Sequence, residues 1–246
     1  ATTITCSTRR KFPMPNTTTP IAITDVLSTM TKEYYHLKYY PVAIYNGVFI
    51  EKFQNSVDIK ERGISFVSVA NFSKNKNQIS IVKAALHLIN HGVNVDVTFL
   101  GEGTEFESVK NFASKTIQPN AFKFEGRVQN VADYLKNSKC LVIPSYYEGN
   151  PLSILEAMAS GLAVIATNNG GAKDIIEEGI NGFLVSPEDS FSLISRMKQI
   201  ALDKQLLEFI SKNNLRKVLE YDMSNVAVKY LDLYSLGNLY VNEKKE

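Results

Sequence analysis

The chain has 246 residues, 44% of them hydrophobic and 21% charged, so it carries enough apolar material for one large packed domain or two small ones. Its formal charge of +2 argues against nucleic acid as a partner, and no run is long and apolar enough to span a membrane. Two cysteines, Cys6 and Cys140, do not make a disulfide framework and point to a reducing compartment. The chain opens on Ala1 without a methionine, which reads as a processed or trimmed start.

In chain order, MPNTTTP (14–20) reads as loop and TDVLSTMTKEYYHLKYY (24–40) as one helix capped by Thr24 or Asp25. Its KEYYHLKYY end mixes base and aromatic. It suits an interfacial membrane contact or a sugar platform, but first of all a helix packed on its tyrosines. PVAIYNGVFIEKF (41–53) reads as a strand, an Asn-Gly turn and an exit segment. This opening stretch holds too few apolar elements for a core of its own.

From Gly63 the pattern alternates. ISFVSVA (64–70) predicts a strand, and NQISIVKAALHLINHG (77–92) predicts a helix with Ile79, Val82, Leu86 and Ile89 on one face and Gly92 as its stop. His87 and His91 stand four apart near its end, a spacing able to chelate zinc. With no third ligand nearby they read as surface or cap residues. The strand of NVDVTFLGEG follows, then the helix EFESVKNFASKT, the strand AFKFEG and the short helix NVADYLKNS. The strand KCLVIP, a helix from Pro151 to about Ser160 ended by Gly161, the strand LAVIAT, the helix AKDIIEEG and the short strand GFLV continue the series. Helices fill the rest from about Asp189, and NEKKE closes as a solvated tail. Strands alternating with helices predict an α/β fold, a Rossmann-like parallel sheet with helices on both faces. No G-x-G-x-x-G follows the first strand, which disfavours a dinucleotide-binding dehydrogenase.

The stretch SYYEGNPLSILEAMASGLAVIAT (145–167) puts two carboxylates where a strand, a loop and a buried helix are expected. In a parallel sheet, ligands sit beyond the carboxyl ends of the strands, where this loop leaves KCLVIP. Asn150 is a good N-cap and Pro151 a good first helical residue, so the amides of the next turn would face a phosphate. Glu156 lies inside the helix on the face of Leu152, and an ionised carboxylate there needs a partner. Vicinal ribose hydroxyls would serve; so would a core lysine, or a place on the helix rim. Glu148 could accept from the hydroxyls of a sugar or be a solvated turn residue. Gly149 leaves the backbone open to a ligand.

The segment PSYYEGNPLSILEAMASGLAVIATNNGGAKDIIEEGINGFLV resembles the donor-site signature of retaining glycosyltransferases with the GT-B fold. That large family, glycosyltransferase family four or "glycosyl transferases group one", includes sucrose-phosphate synthases and bacterial mannosyltransferases. SVANFSKNKNQ, VTFLGEG and FEGRVQNVADYL follow the family's order, and the resemblance covers roughly residues 41 to 235. It implies that Glu156 binds the ribose and Glu148 the donor sugar. Backbone amides of Gly149, Asn150, Leu152 and Ser153 would meet sugar and diphosphate, and Val128 would meet the base through its main chain. It also implies that Lys76 stabilises the departing diphosphate, with Glu148 and Lys76 as the catalytic pair. The family's Gly-Arg after the first strand is Ala70-Asn71 here, so Asn71 brings a hydrogen-bonding group without charge. Lys74 and Arg127 are the candidates to replace that charge. Asp174 stands where the family commonly has glutamate, and Gly170-Gly171 reads as a turn by the same crevice.

The resemblance implies a donor-binding domain at 59–246 with C-terminal helices, preceded at 1–58 by a remnant or linker from the acceptor-side half. The implied reaction is hexosyl transfer, with retention, from a nucleoside diphosphate sugar to a glycan or lipid-linked acceptor in cell-surface polysaccharide synthesis. No metal and no cofactor beyond that donor are expected. The chain alone is expected to bind nucleotide sugar and transfer poorly; a non-catalytic binding module or half of a split transferase are the alternatives. The expected location is cytoplasmic, with possible peripheral association at the inner face of the membrane.

Overall fold

The computed structural model of the protein describes residues 2–3 and 20–242, with side chains over 20–235. Cys6, nearly all of the 14–20 loop and most of the NEKKE tail lie outside the described residues. Nine strands and nine α-helices are described: β1 Thr2–Thr3, β2 Pro20–Ala22, α1 Asp25–Tyr35, β3 Val42–Ala43, β4 Ile64–Val69, α2 Gln78–Asn90, β5 Val97–Leu100, α3 Phe106–Ser114, β6 Phe122–Gly126, α4 Val131–Lys136, β7 Ser138–Ile143, α5 Leu152–Ala159, β8 Ala163–Thr167, α6 Ala172–Ile175, β9 Phe183–Val185, α7 Ser190–Leu202, α8 Lys204–Lys217 and α9 Met223–Asn242.

Six strands form one parallel sheet in the order β6-β5-β4-β7-β8-β9. That is the doubly wound order, in which the winding reverses between the first strand, β4, and the fourth, β7. The strands are apolar on both sides because both faces are covered. Phe66, Cys140 and Ala163 point into the cluster built with α2, α3, α7 and α8, while Val67, Leu141 and Val164 point into the one with α4, α5 and α6. Each large side chain fully buried in this way contributes about 1.5–3 kcal/mol. On α2 the buried face is Ile81, Val82, Ala84, Ala85 and Leu88, whereas Ile79, Leu86 and Ile89 are only partly buried. The expected face is rotated because α2 packs against α7 as well as the sheet.

The opening stretch forms a second, three-stranded parallel sheet in the order β1-β2-β3. Its few apolar residues do not close a core unaided. Ile21 and Ile44 pack on Val226 of α9, with Tyr230 and Leu233 around them, so the C-terminal helix completes the cluster. Asn46-Gly47 makes no hairpin turn. Gly47 lies where α9 begins, and a Cβ there would stand 3.0 Å from the Cα of Met223.

α1 is capped by Thr24, whose Oγ1 accepts from the amide of Leu27, and stops at His36 in the left-handed region, five residues short of Pro41. It buries Leu27, Ser28 and Thr31 rather than its tyrosines, and Tyr34, Tyr39 and Tyr40 are exposed. Lys32 sits 3.5 Å over the ring of Tyr40. His91 caps α2 with its ring stacked on exposed His87 and its Nδ1 2.7 Å from the His87 carbonyl. Among the described residues no group of three or more His, Cys, Asp or Glu is placed to hold a metal.

Candidate functional site

The site follows from the order of the strands. β4 and β7 are hydrogen-bonded neighbours, so the segments leaving their carboxyl ends lie side by side although about 70 residues separate them. After β4 the chain makes a short 3-10 turn, Lys74–Lys76, and after β7 it makes the loop 144–151. Asn75 joins the two: its carbonyl accepts from the amide of Tyr146 at 2.8 Å, and its Nδ2 donates to the carbonyl of Tyr147 at 2.9 Å. Beside that clamp, Lys76 Nζ donates to Glu148 Oε1 at 2.5 Å. The same oxygen accepts from Ser145 Oγ at 2.6 Å. Ser145 is wholly buried, and its carbonyl accepts from Thr167 Oγ1 of β8.

Backbone also seats the loop at Glu148 and Gly149. The amide of Gly171 donates to the carbonyl of Glu148 at 3.0 Å. A Cβ on Gly170 would come within 1.8 Å of the Glu148 carbonyl oxygen, and one on Gly171 within 1.8 Å of the Gly149 oxygen. Gly170 also has φ +86, which a side chain resists. The Gly-Gly pair is thus a seat for the Glu148–Gly149 backbone as well as a link into α6.

Asn150 does not cap α5. Its Nδ2 donates to the carbonyl of Ile23, its own carbonyl accepts from Asn46 Nδ2, and its buried Oδ1 has no partner among the described residues. The reason is packing from the opening stretch: the space beside Gly149 is bounded by Ile23 and Leu27, 3.8 Å from where a Cβ would be. α5 therefore begins after Pro151 with no side-chain cap, leaving the first-turn amides of Leu152 and Ser153 uncapped. That terminus carries roughly half a positive charge. The helix ends as expected, with Gly161 at φ +71.

Glu156, about one turn along α5, lines a cleft with Lys52, Phe53, Gln129, Asn130, Ala132 and Lys136. It is half-buried, and among the described residues its carboxylate has no hydrogen bond or ion pair. Burial with nothing to offset it pushes its pKa above the ordinary carboxylate value. Among the described residues, then, Glu156 caps no lysine.

Val128 is partly buried on the sheet's second core cluster, just before this cleft. Arg127, Asn71 and Lys74 are exposed. Asn71 is held by its carbonyl, which accepts from Gln78 Nε2. Asp174 faces the amino end of α1, where its Oδ2 lies 3.4 Å from the amide of Val26, and burial raises its pKa. Nearby, Tyr45 donates to Asp25 Oδ2 at 2.8 Å.

Sequence reasoning did not single out Ser145, Asn75, Thr167, Lys52 or Phe53. Ser145 carried a signal, a small polar residue directly after the apolar strand and Pro144. Lys52 and Phe53 carried none, because they reach the Glu156 cleft through the fold.

Residues 49–217 match the family model described as "Glycosyl transferases group 1". The chain belongs to that family. An Escherichia coli UDP-Gal:alpha-D-GlcNAc-diphosphoundecaprenol alpha-1,3-galactosyltransferase is 30% identical over 203 residues, 77% of this chain and 52% of that enzyme. The chain thus spans about half the length of such relatives. Among solved structures, Anabaena HepE in complex with UDP superposes with a TM-score of 0.78 at 22% identity, over 88% of this chain and 63% of that one. The C-terminal domain of a Francisella tularensis glycosyl transferase group 1 protein superposes with a TM-score of 0.62 at 25% identity, over 72% of this chain and 100% of that domain. The six-stranded sheet is therefore the Rossmann-like C-terminal half of a GT-B fold.

Proposed function

We propose that the chain is the donor-binding half of a retaining hexosyltransferase. It would move a hexose from a nucleoside diphosphate sugar to a glycan or lipid-linked acceptor in cell-surface polysaccharide synthesis. The observation that carries this reading is the convergence of Lys76, Glu148 and the uncapped amino end of α5 at the reversal of strand order, with uncompensated Glu156 one turn further along. In this reading the diphosphate lies against the amides of Leu152 and Ser153 and takes Lys76. The ribose hydroxyls donate to Glu156 and the base lies along the main chain at Val128. The hexose meets Glu148 and the backbone of Gly149 and Asn150.

In the reaction the bond from the anomeric carbon to the diphosphate oxygen breaks, the acceptor oxygen bonds to that carbon and gives its proton to the departing diphosphate oxygen, and the nucleoside diphosphate leaves. Its growing negative charge is met by Lys76 and the helix amides, which is where positive charge accelerates such a step. Arg127, exposed beside Val128, and Asn71 flank the donor. Lys76, Arg127 and the α5 amides already supply positive charge to the diphosphate, so transfer is proposed to be metal-independent. What the E. coli relative is named for, a UDP-sugar donor and a diphosphoundecaprenol-linked acceptor, supports this class of reaction.

The acceptor side is proposed to come from outside these 246 residues, as further chain or as a second polypeptide, with 1–58 as its edge. The half-length match to the relatives supports this. Such a protein would work in the cytoplasm on acceptors at the membrane's inner face; no described helix is long and apolar enough to cross a membrane.

Calorimetry with UDP, GDP, ADP and NAD tests the reading. One nucleoside diphosphate should bind the chain, and Glu156→Ala should weaken that binding by about 30- to 100-fold. Binding of NAD alone, or no nucleotide binding, would sink it. Transfer assays should show the isolated chain to be far slower than a protein containing an acceptor-side half.

A further inference from the structure

Glu148 is oriented by two donors that converge on one oxygen. Lys76 Nζ at 2.5 Å and Ser145 Oγ at 2.6 Å both reach Oε1, and neither touches Oε2. The two donors differ in kind. Lys76 is a mobile ammonium on a flexible stem, the group that a diphosphate would attract. Its side chain keeps 20% of its exposure, so it can leave. Ser145 is wholly buried, and its backbone is fixed by Thr167 on β8. It cannot leave.

We propose that Ser145 is a positioning residue that keeps Glu148 aimed at the donor sugar once the diphosphate has drawn Lys76 out of its ion pair. The proposal rests on the donor-site reading above. In the empty site Lys76 and Glu148 satisfy one another. A diphosphate arriving at α5 competes for Lys76, and every molecule that binds must first break that pair. The apparent affinity for a nucleoside diphosphate is therefore lowered by the fraction of lysine still engaged. Once Lys76 has moved, Glu148, whose side chain is 11% exposed while the pair is intact, has one charged partner fewer. The Ser145 hydroxyl then holds Oε1, and Oε2 is presented to the hydroxyls of the hexose. Ser145 contacts neither donor nor acceptor; it acts through Glu148.

The experiment compares binding of UDP with binding of a panel of UDP-hexoses, by calorimetry on the whole chain, for wild type and five variants, with the melting temperature of each recorded. Glu148→Gln removes the intramolecular competitor, so UDP should bind about three- to ten-fold more tightly while the added affinity from the hexose disappears. Ser145→Ala should leave UDP within about two-fold of wild type and lower UDP-hexose affinity about ten-fold. Ser145→Cys, similar in size with a weak donor, should fall between Ser and Ala, and Ser145→Thr should restore binding wherever its melting temperature matches wild type. Lys76→Met should weaken UDP and UDP-hexose alike.

Equal loss of UDP and UDP-hexose affinity in Ser145→Ala, or a Ser, Cys, Ala series that follows melting temperature rather than donor strength, would overturn the positioning role. Unchanged or weaker UDP binding in Glu148→Gln would overturn the competition. Should wild type bind no nucleoside diphosphate, the donor-site reading itself fails, and this inference with it. Wild-type binding with a flat response across the Ser145 variants removes the inference alone.

Discussion

The two glutamates of the site sit eight residues apart in sequence and in opposite physical states. Glu148 is held: a lysine and a buried serine both bond its Oε1, and a glycine seat fixes its backbone. Glu156 is not: among the described residues its carboxylate has no partner in the cleft it lines, and its burial is a cost borne by the fold. The difference teaches where binding energy is stored. A group that is already paired must exchange partners when ligand arrives, so its net gain is small and it serves selectivity. A group left unpaired gains the whole interaction, so it serves affinity.

The sharpest way to break that comparison is to truncate the unpaired acid. Glu156→Ala should weaken nucleoside diphosphate binding by about 30- to 100-fold, the equivalent of roughly 2–3 kcal/mol for hydrogen bonds to a charged acceptor. A loss of less than about five-fold, measured by calorimetry, would erase the distinction between the two regions.

Next in size is the removal of the paired cation. Lys76→Met leaves Glu148 enclosed without a counter-charge and should destabilise the ligand-free protein by about 1–3 kcal/mol in urea unfolding. Lys76→Met with Glu148→Gln should recover most of that loss, because both members of the pair are then neutral. No recovery in the double variant would mean that the pair does not account for the loss.

A smaller effect, of opposite sign, is expected from Glu156→Gln. The folded-state pKa of Glu156 is raised above its unfolded value, so the folded state binds the proton more readily. The penalty is absent below the unfolded pKa and sets in as pH rises through the raised folded value. At pH 7 the neutral amide should therefore raise the melting temperature by about 1–3 °C, and the gain should vanish on acidification below the ordinary carboxylate range. The same linkage predicts that nucleotide binding weakens as pH falls, since protonated Glu156 accepts hydroxyl donors less well. A variant that melts lower than wild type at pH 7 would show Glu156 to be a structural acid.

The smallest expected effect is none. Excess chelator should leave UDP affinity unchanged, because Lys76 and the α5 amides carry the positive charge. A drop of more than about two-fold would bring a metal into the site.

Much of the fold was legible because the sheet is covered on both faces. Its strands had to be short apolar runs, and the helices between them kept their 3.6-residue spacing; Gly161 marked the end of α5 for the same local reason. Local chemistry failed where distant chain intervened. Asn150 has the side chain of a good cap, yet it turns to Ile23, because the opening stretch packs on the 144–151 loop. The tyrosines after α1 looked like packing material and are exposed, because His36 ends the helix before they can share its buried face. The cluster of Ile21, Ile44 and Val226 joins two ends of the chain that no periodicity connects.

By itself the sequence determined the class of fold, the two carboxylates and their spacing, and the lysine that answers them, since all of these are written in local pattern and residue type. Only the tertiary structure decided that β4 lies beside β7. That adjacency puts Lys76 on Glu148, lets Ser145 share the same oxygen, and leaves Glu156 facing a cleft with Lys52 and Phe53. Hydrogen bonding between strands far apart in the chain is a property of the assembled sheet, and no window of residues contains it.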